Sequence, residues 1–379
     1  MRLFLYGILV LSLTASVCWA EEEEDVLSED QRVSLDMSVE KGLAWIASQQ
    51  QRDGSFPTMP HGQPGVTSLC VLAFMSHGHL PGEGEYGEQL DRALKFTMRS
   101  QKPSGLLAFV APGSKELNRG VSHDIGNTAV YNHAISSLML SEAYSMTGGN
   151  QAQELSDSVE DALQATLAMQ KFPKLRPVDK GGWRYLDVHH DGVESDLSVT
   201  GWQLMFLRSA KNAGFDVSNK PIEEAVDYIV NCFHPQFGTF GYVAEGRQLS
   251  RGMAGAGILA MAHAGMHKSP QADQAGQWIL RYPFTDYNRE VQFDRGIESK
   301  DRYHYALFNC CQGMYQLGGR YWADFFPQTA QTLIDNQQPD GSWPPDSRGS
   351  DTPFGSAYTT SLVVLSLGAP NQLLPIFQR

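Results

Sequence analysis

Two kinds of hydrophobic pattern alternate along this chain of 379 residues. Segments of the first kind have one apolar stripe with a period near 3.6 residues and a polar opposite side, which is typical of a helix on a protein surface. In the clearest of them, Ile222, Ala225 and Ile229 lie on one side, and Glu223 and Asp227 lie on the other. Six such helices are predicted, beginning near Val39, Leu90, Val159, Ile222, Ala272 and Phe326.

Segments of the second kind are apolar or small on nearly every side, which indicates buried helices. They follow the first kind one by one and read TSLCVLAFMS, NTAVYNHAISSLMLSEAY, LSVTGWQLMFLRSA, MAGAGILAMAHAG, RYHYALFNCCQGMYQL and AYTTSLVVLSLG. Glycines within them lower the helix propensity, so close helix contacts are expected there. These glycines are Gly201, Gly255, Gly257 and Gly313. An outer and an inner layer that alternate six times predict an all-α fold, an (α/α)6 toroid closed by six helical hairpins. An open solenoid is the alternative.

The linkers between paired helices carry turn signals and almost no strand pattern. Residues 50–56 read QQRDGSF and residues 337–343 read QQPDGSW, so nearly the same turn stands near both ends of the repeat series. Asp-Gly is a turn dipeptide, and an aromatic residue follows each glycine by two positions. We expect this aromatic side chain to pack between consecutive hairpins.

The first of these turns belongs to a stretch that resembles a known repeat. Residues 41–56, KGLAWIASQQQRDGSF, resemble the QW repeat of the squalene-cyclase and prenyltransferase superfamily. The matching positions are Lys41-Gly42, Trp45, Gln49 and Gly54-Ser55-Phe56, with Phe for the usual Trp, and later Gln337 with Gly341-Ser342-Trp343. The resemblance covers roughly residues 39–368 and extends to uncharacterised exported bacterial proteins of this repeat class. It implies a toroid whose inner helices surround a central cavity, and it implies little about chemistry.

The ends of the chain are expected to lie outside the toroid. Residues 1–20 combine an arginine, an apolar run and small residues before a cleavage point, which is the pattern of a secretory signal peptide. Residues 21–37 are expected to form an acidic disordered leader, residues 38–370 the single toroid domain and residues 371–379 a C-terminal tail. Export to the periplasm or the extracellular space is therefore expected, with no integral membrane segment after removal of the signal.

Charge and cysteine content narrow the class of partner. The formal net charge is −13 at pH 7, and an acidic excess repels nucleic acid and anionic membrane surfaces. Four cysteines follow the signal peptide, and their spacing fits neither a disulfide scaffold nor a zinc knuckle. Buried free thiols and a single bridge both remain open for Cys70, Cys232, Cys310 and Cys311.

Carboxylates before the third inner helix form the first candidate site. Class II terpene cyclases, which the chain resembles, protonate an alkene with the middle aspartate of an Asp-x-Asp-Asp motif, and burial keeps this acid protonated. Asp196 stands at the donor's place and Glu194 at the first acid, while Leu197 replaces the last acid. The alternative is that Asp196 caps the following helix.

Histidines and aromatic residues form the second set of candidates. His133 is either a buried histidine bonded to a neighbouring carbonyl or hydroxyl, or a catalytic acid/base group that faces the cavity. Other residues near the inner helices are expected to line a ligand-binding cavity. They are His123, Asp124, Tyr131, Trp183, Trp202, Arg251, Tyr303, His304 and Tyr358. In a cyclase, Trp183, Trp202, Tyr303 and Tyr305 would stabilise cations with their π faces.

The sequence motifs of other reactions catalysed by toroid proteins are incomplete in this chain. A zinc site of the protein-prenyltransferase kind needs Asp, Cys and His ligands, but no Asp-x-Cys precedes Cys310. The thioester signature Gly-Cys-Gly-Glu-Gln is replaced by GEYGEQ at residues 84–89, without the cysteine. No metal site is expected, and the weak candidates are His189, His190 and Asp191. Glycan chemistry stays open, because carboxylates and arginines at several inner-helix starts could converge. Its candidates are Asp124, Glu194, Asp196, Arg251, Asp301 and Arg302.

The sequence therefore predicts a toroid protein that binds an unknown ligand, lipid-like, glycan or peptide, in or around its central cavity. No cofactor and no nucleic acid are expected. The first alternative is a terpenoid-cyclase-like enzyme with Asp196 as general acid. The second is a polysaccharide lyase or hydrolase.

Overall fold

The computed structural model describes residues 26–112, 125–147, 152–186, 192–289, 291, 293–294, 301–345 and 349–379. The outer helices are α1 (Glu29–Ser48), α3 (Gly87–Arg99), α5 (Ala152–Gln170), α7 (Asn219–Asn231), α9 (Pro270–Leu280) and α11 (Gly319–Asp335). The inner helices are α2 (Gly65–Met75), α4 (Ile125–Met146), α6 (Leu197–Asn212), α8 (Arg251–His263), α10 (Tyr303–Leu317) and α12 (Gly355–Leu367). A two-stranded antiparallel hairpin pairs β1 (Phe233–His234) with β2 (Thr239–Phe240). Short 3-10 turns lie at Pro60–Gly62, Pro177–Asp179, Ala369–Asn371 and Pro375–Phe377.

The inner helices form a closed ring. Each inner helix contacts the next one in the series from α2 to α12, and α12 contacts α2. In the outer layer, α1 contacts both α11 and α12, so the first hairpin meets the last. The fold is thus an α/α toroid of six hairpins, as predicted, and the open solenoid is wrong.

The burial of each helix follows its hydrophobic pattern. Every residue of the inner helix α2 is buried. The outer helix α7 buries Ile222, Ala225, Tyr228 and Ile229 and leaves its acidic side in solvent. Removal of apolar surface from water therefore decides which helix lies inside the ring.

The first helix begins earlier than its apolar stripe. Ser28 and Gln31 form a reciprocal capping box, in which the Gln31 N–H donates to Ser28 Oγ at 3.3 Å and the Ser28 N–H donates to Gln31 Oε1 at 3.1 Å. Such a box satisfies two backbone donors at the start of a helix. The disordered leader predicted over 21–37 is therefore wrong from residue 29 onward, whereas the division into domains stays a prediction.

The repeated turns join consecutive outer helices. Gln50 Nε2 donates to the Gly54 carbonyl at 3.2 Å and to the Gln89 carbonyl of α3 at 2.7 Å. Gln101 and Gln170 make the same kind of bond to carbonyls of α5 and α7. Gln337 Nε2 donates to the Ser38 carbonyl of α1 at 2.8 Å, which joins the last hairpin to the first. The glutamine that makes this bond in the first turn is Gln50, not the Gln49 matched to the repeat motif.

Glycine is required in these turns by close backbone approach. Gly54 and Gly341 have φ of +96° and +95°, and a Cβ at either position would collide with a carbonyl of the next outer helix. The aromatic residues after them, Phe56 and Trp343, are buried, as expected. Among the inner-helix glycines, Gly255 closely contacts the α10 backbone, whereas the predicted close contact at Gly201 is wrong because open space lies there.

The four cysteines within the described residues are not cross-linked. Their four thiols are buried and free: Cys70, Cys232, Cys310 and Cys311.

Candidate functional site

A cavity of about 830 Å³ opens where the inner helices begin. All six inner helices contribute residues from their N-terminal half, so they run in the same direction and present their N-terminal ends to one mouth. Linker residues complete the wall. The residues that line the cavity include Leu69, Asn127, Thr128, Tyr131, Ile135, Tyr185, Ser198, Trp202, Tyr242, Ser250, Arg302, Tyr305, Phe354, Tyr358 and Leu362.

The cavity changes from polar to apolar with depth. Polar side chains line the cavity around the starts of α4, α6, α8 and α10: Asn127, Thr128, Ser198, Ser250 and Arg302. Val66 and Met253 are apolar lining residues at the same level. Further along the inner helices, the apolar side chains of Leu69, Ile135, Trp202 and Leu362 line the cavity together with Tyr131, Asn132, Tyr305 and Tyr358. The indole of Trp202 stacks on Phe308 of α10, with ring centroids 5.3 Å apart. A polar mouth and an apolar floor are thus separated along the barrel axis.

Tyrosine hydroxyls form hydrogen-bonded groups in the wall. The Tyr131 hydroxyl donates to Ser198 Oγ at 2.8 Å, and Ser198 Oγ donates to the Tyr305 hydroxyl at 2.7 Å. The hydroxyls of Tyr185 and Tyr242 bond to each other. Burial raises the pKa of Tyr131 and Tyr305 above the usual value for tyrosine, so both side chains stay neutral.

Asp196 caps the helix that supplies Ser198 and Trp202. Its Oδ1 accepts a hydrogen bond from the Val199 N–H at 2.8 Å, so the capping role expected as the alternative is confirmed. Its Oδ2 has no hydrogen-bond partner among the described residues. Burial raises the pKa of this carboxyl to about 7, although the Val199 N–H and the nearby Arg184 and Tyr242 lower it. Asp196 does not itself line the cavity, but Tyr242 does.

Glu194 lies outside the candidate site. Its carboxylate accepts a hydrogen bond from the Leu175 N–H, and its carbonyl accepts one from Lys174 Nζ at 2.6 Å. Both contacts hold the linker between α5 and α6. The expectation that Glu194 acts beside Asp196 at the cavity is therefore wrong.

His133 faces the outer layer and not the cavity. Its Nδ1 accepts a hydrogen bond from the Leu107 N–H at 3.1 Å, and its Nε2 lies 2.9 Å from the Thr166 hydroxyl of α5. Thr67, Thr200 and Thr360 accept linker N–H groups in the same way in other repeats. Burial lowers the pKa of His133 to about 3. The buried-histidine alternative is confirmed, and the expectation that His133 faces the cavity is wrong, because its two ring nitrogens bond to the Leu107 linker and to Thr166 of α5.

Arg251 is a buried ion-pair partner behind the cavity wall. Its side-chain Nε donates to Asp301 Oδ2 at 2.7 Å, and its backbone N–H donates to Asp301 Oδ1 at 3.1 Å. The guanidinium carbon lies 3.6 Å from the Phe284 ring centroid. The expectation that Arg251 lines the cavity is wrong, since Asp301 draws it to the neighbouring hairpin.

Three further candidates are also placed behind the wall. His304 Nδ1 lies 2.8 Å from Asp351 Oδ2, and its Nε2 lies 3.0 Å from the Tyr287 hydroxyl. Tyr303 packs against Tyr287 with ring centroids 5.3 Å apart. Trp183 is a linker wedge, whose Nε1 donates to the Thr166 carbonyl at 2.9 Å. None of the three lines the cavity, so these assignments are wrong because each side chain packs between hairpins.

The structure brings Tyr131, Trp202 and Tyr358 to the cavity, as expected, together with Tyr305. His123, Asp124, His189, His190 and Asp191 lie outside the described residues. Tyr185 and Tyr242 also line the cavity, and neither was predicted from the sequence to do so. Their linkers contain a readable signal, because each holds two aromatic residues two positions apart. In one linker Trp183 is buried and Tyr185 reaches the cavity, and in the other Phe240 is buried and Tyr242 reaches the cavity.

Metal-binding clusters and membrane-spanning helices are both absent from the described part of the chain. Within it, no three His, Cys, Asp or Glu side chains come together in a way that could hold a metal ion. No helix described there combines the length and the apolar character needed to cross a membrane.

Comparison with known proteins identifies the fold. No protein-family model and no curated protein sequence matches the chain. The type II terpene cyclase MstE from Scytonema, in complex with geranylgeranyl dihydroxybenzoate, superposes with a TM-score of 0.54 at 14% identity, over 91% of this chain and 99% of the cyclase. A glycosidase variant in complex with glucose superposes with a TM-score of 0.58 at 12% identity, over 92% of this chain and 100% of the glycosidase. A protein from Actinoplanes gives a TM-score of 0.52 at 16% identity, with 89% of this chain and 99% of that protein covered.

These likenesses establish an α/α toroid shared by proteins with different activities. At such low identity they show the fold alone, and the function has to be argued from the side chains of this cavity.

Proposed function

We propose that this protein binds a lipid-like organic ligand in the central cavity. The observation that carries the proposal is an open cavity of about 830 Å³ with aromatic walls, an apolar floor and a few converging polar groups. This size and composition are typical of small-molecule sites. The apolar floor favours a lipid-like ligand over a glycan or a peptide, because burial of an apolar ligand surface there supplies the driving force.

Proteins of the same fold bind organic ligands. The cyclase was captured with geranylgeranyl dihydroxybenzoate and a glycosidase with glucose, so related architectures hold organic ligands. For this chain we extend the proposal to membership of the QW-repeat superfamily and to export. The first rests on the repeated turns, and the second on the signal-peptide pattern of residues 1–20.

A second candidate function is acid catalysis of the terpenoid-cyclase kind. The observation that favours it is the buried Asp196 carboxyl, whose pKa of about 7 keeps much of it protonated at neutral pH. Tyr242 lines the cavity and is close enough to Asp196 to lower its pKa, so its hydroxyl would pass its own proton to a ligand alkene while taking the proton of Asp196. A glycan lyase or hydrolase is not proposed, since no carboxylate lines the cavity within the described ranges.

The proposal is tested by ligand capture with a cavity-filling variant. Purified protein is incubated with a lipid extract and a glycan panel, and the retained molecules are identified by mass spectrometry. We expect retention of lipid-like molecules, loss of retention in Leu362→Trp at the cavity floor, and no loss in Leu373→Trp on the exposed surface. Retention of glycans alone, or equal retention by both variants, would contradict the proposal.

The catalytic candidate needs a separate readout. Asp196→Asn keeps a capping side chain, because Asn and Asp are equally good caps, but it removes the acid. We expect retention of the ligand to persist and any cyclised product to disappear. If products form at an unchanged rate in Asp196→Asn, Asp196 is not the acid.

A further inference from the structure

Arg302 is the one permanently charged side chain among the described residues that line the cavity. It occupies the N-cap position of α10, so it stands at the mouth above Tyr305 of the same helix. The side chain is largely exposed to the open cavity although protein surrounds it. A cation therefore stands where the polar mouth begins.

The neighbouring carboxylates are engaged elsewhere. Asp301 accepts two hydrogen bonds from Arg251, at 2.7 and 3.1 Å. Asp351 lies 2.8 Å from His304 Nδ1. Asp196 accepts the Val199 N–H at 2.8 Å. Each of these acids lies close in the chain or in space to the mouth, yet none forms an ion pair with Arg302 within the described structure.

The Arg302 guanidinium is thus a charge without a counter-ion among the described residues. Burial opposes this charge, but interactions with Tyr358, Tyr131 and Asp351 outweigh the burial and raise the pKa of Arg302. The guanidinium stays charged, and a guanidinium presents a planar set of donors that matches a carboxylate or a phosphate.

The N-terminal ends of the inner helices add to the positive electrostatic potential at the mouth. Six inner helices present their N-terminal ends to the mouth, and each N-terminal end carries a partial positive charge. The chain as a whole has a formal net charge of −13, so the part of the cavity mouth that the structure describes is a local exception on an acidic protein. The apolar floor below it excludes a ligand that is charged along its whole length.

We propose that the ligand is an amphipathic organic anion, whose carboxylate or phosphate binds Arg302 at the mouth and whose apolar body lies on Trp202, Leu69 and Leu362. This inference rests on the proposed function, because it assumes that the cavity is the binding site. It narrows that function by making the charged head group a requirement and by fixing the orientation of the ligand, with the head outward.

Four single-chain probes test the head group. Dodecanoate and dodecyl phosphate are the anionic probes, dodecanol is the neutral probe and dodecyltrimethylammonium is the cationic probe, each below its micelle concentration. Binding is followed by tryptophan fluorescence and calorimetry in wild type, Arg302→Gln, Arg302→Lys and the control Arg289→Gln, whose side chain is exposed. We expect the anions to bind wild type at least about tenfold more tightly than dodecanol, which is what a charge-assisted hydrogen bond supplies.

The variants separate charge from packing. Arg302→Gln should abolish the preference for anions and leave the affinity for dodecanol unchanged, Arg302→Lys should keep part of the preference, and Arg289→Gln should behave as wild type. A carboxylate ligand is indicated if dodecanoate binds better than dodecyl phosphate, and a phosphate ligand by the reverse order; either order supports the proposal.

Two results would overturn the proposal in distinguishable ways. If dodecanol binds as tightly as the anions and Leu362→Trp blocks both, the cavity binds ligands but Arg302 does not select their charge. If no probe binds, or Leu362→Trp blocks none of them, the cavity is not a lipid-like site and the proposed function fails as well. Thermal unfolding of each variant confirms that a lost signal does not reflect a lost fold.

Discussion

The two ends of the toroid are built from the same six inner helices but are closed in different ways. At the end where the inner helices finish, the C-terminal segment enters the ring. Phe377 is buried and its ring lies 6.1 Å from Phe308, and the Ile376 N–H donates to Glu142 Oε2 at 3.1 Å. At the end where the helices begin, a cavity of about 830 Å³ remains open.

Charged groups also differ between the ends. At the filled base, the Glu142 carboxylate accepts hydrogen bonds from both Ser209 and Ile376. At the open mouth, Arg302 has no ion-pair partner among the described residues. Unpartnered buried polar atoms occur towards both ends, Asp196 Oδ2 behind the mouth and His263 Nε2 beside Phe377. The exposed charge of Arg302 therefore distinguishes the mouth from the base.

The test with the largest expected effect on stability replaces one phenylalanine at each end of the toroid, in two separate variants. Phe377→Ala leaves a void at the packed base and should lower the free energy of unfolding by about 3–5 kcal/mol. Phe354→Ala at the half-buried mouth only widens an existing cavity and should cost about 1 kcal/mol. Urea unfolding measures both values. Equal losses would show that the base is no better packed than the mouth.

The second test compares two arginines near the mouth. Arg251→Gln leaves the buried Asp301 without its cation, and breaking a buried ion pair costs about 3–5 kcal/mol. Arg302→Gln removes a charge that has no partner in the described structure and should change the unfolding free energy by less than about 0.5 kcal/mol. Urea unfolding near pH 7 measures both. A large loss in Arg302→Gln would mean that this side chain serves the fold and not a ligand.

The third test uses pH at both ends. Burial raises the pKa of Asp196 from 3.8 to about 7 and that of Glu142 from 4.5 to about 7. At these two sites the folded state holds protons that the unfolded chain has already released, so the stability that the two carboxyls contribute is fully present below about pH 4 and is lost as pH rises through about 7. Asp196→Asn should make the free energy of unfolding less dependent on pH in this range. It should also raise the free energy of unfolding at pH 8 by about 2 kcal/mol, which is roughly half of what the full pKa shift of Asp196 would give.

Glu142→Gln is the matched variant for this pH test. This variant should also make the free energy of unfolding less dependent on pH over the same range. Because it weakens the hydrogen bonds of Glu142 with Ser209 and Ile376, the gain in stability at pH 8 should be smaller than in Asp196→Asn. Unfolding curves from pH 5 to pH 8 provide the measurement. A curve of Asp196→Asn that runs parallel to the wild-type curve would contradict a raised pKa for Asp196.

Much of the fold is readable from the sequence, and less of the candidate site is. The amphipathic and apolar segments predict both layers of helices, because the side chains that a helix buries recur with its own period. The capping alternative for Asp196 is also a local property, since a cap bonds to its own helix. Arg251 and His304 illustrate the limit, because their partners, Asp301 and Asp351, lie 50 and 47 residues away in the chain.

The sequence by itself determined which segments become helices, which layer each helix joins and where the turns lie. Only the tertiary structure decided which side of an inner helix faces the cavity. Tyr131 lines the cavity, whereas His133, two residues later in the same helix, bonds to the outer layer. An inner helix is buried on all sides, so its apolar pattern has no polar face to orient it, and the orientation comes from contacts made by distant hairpins.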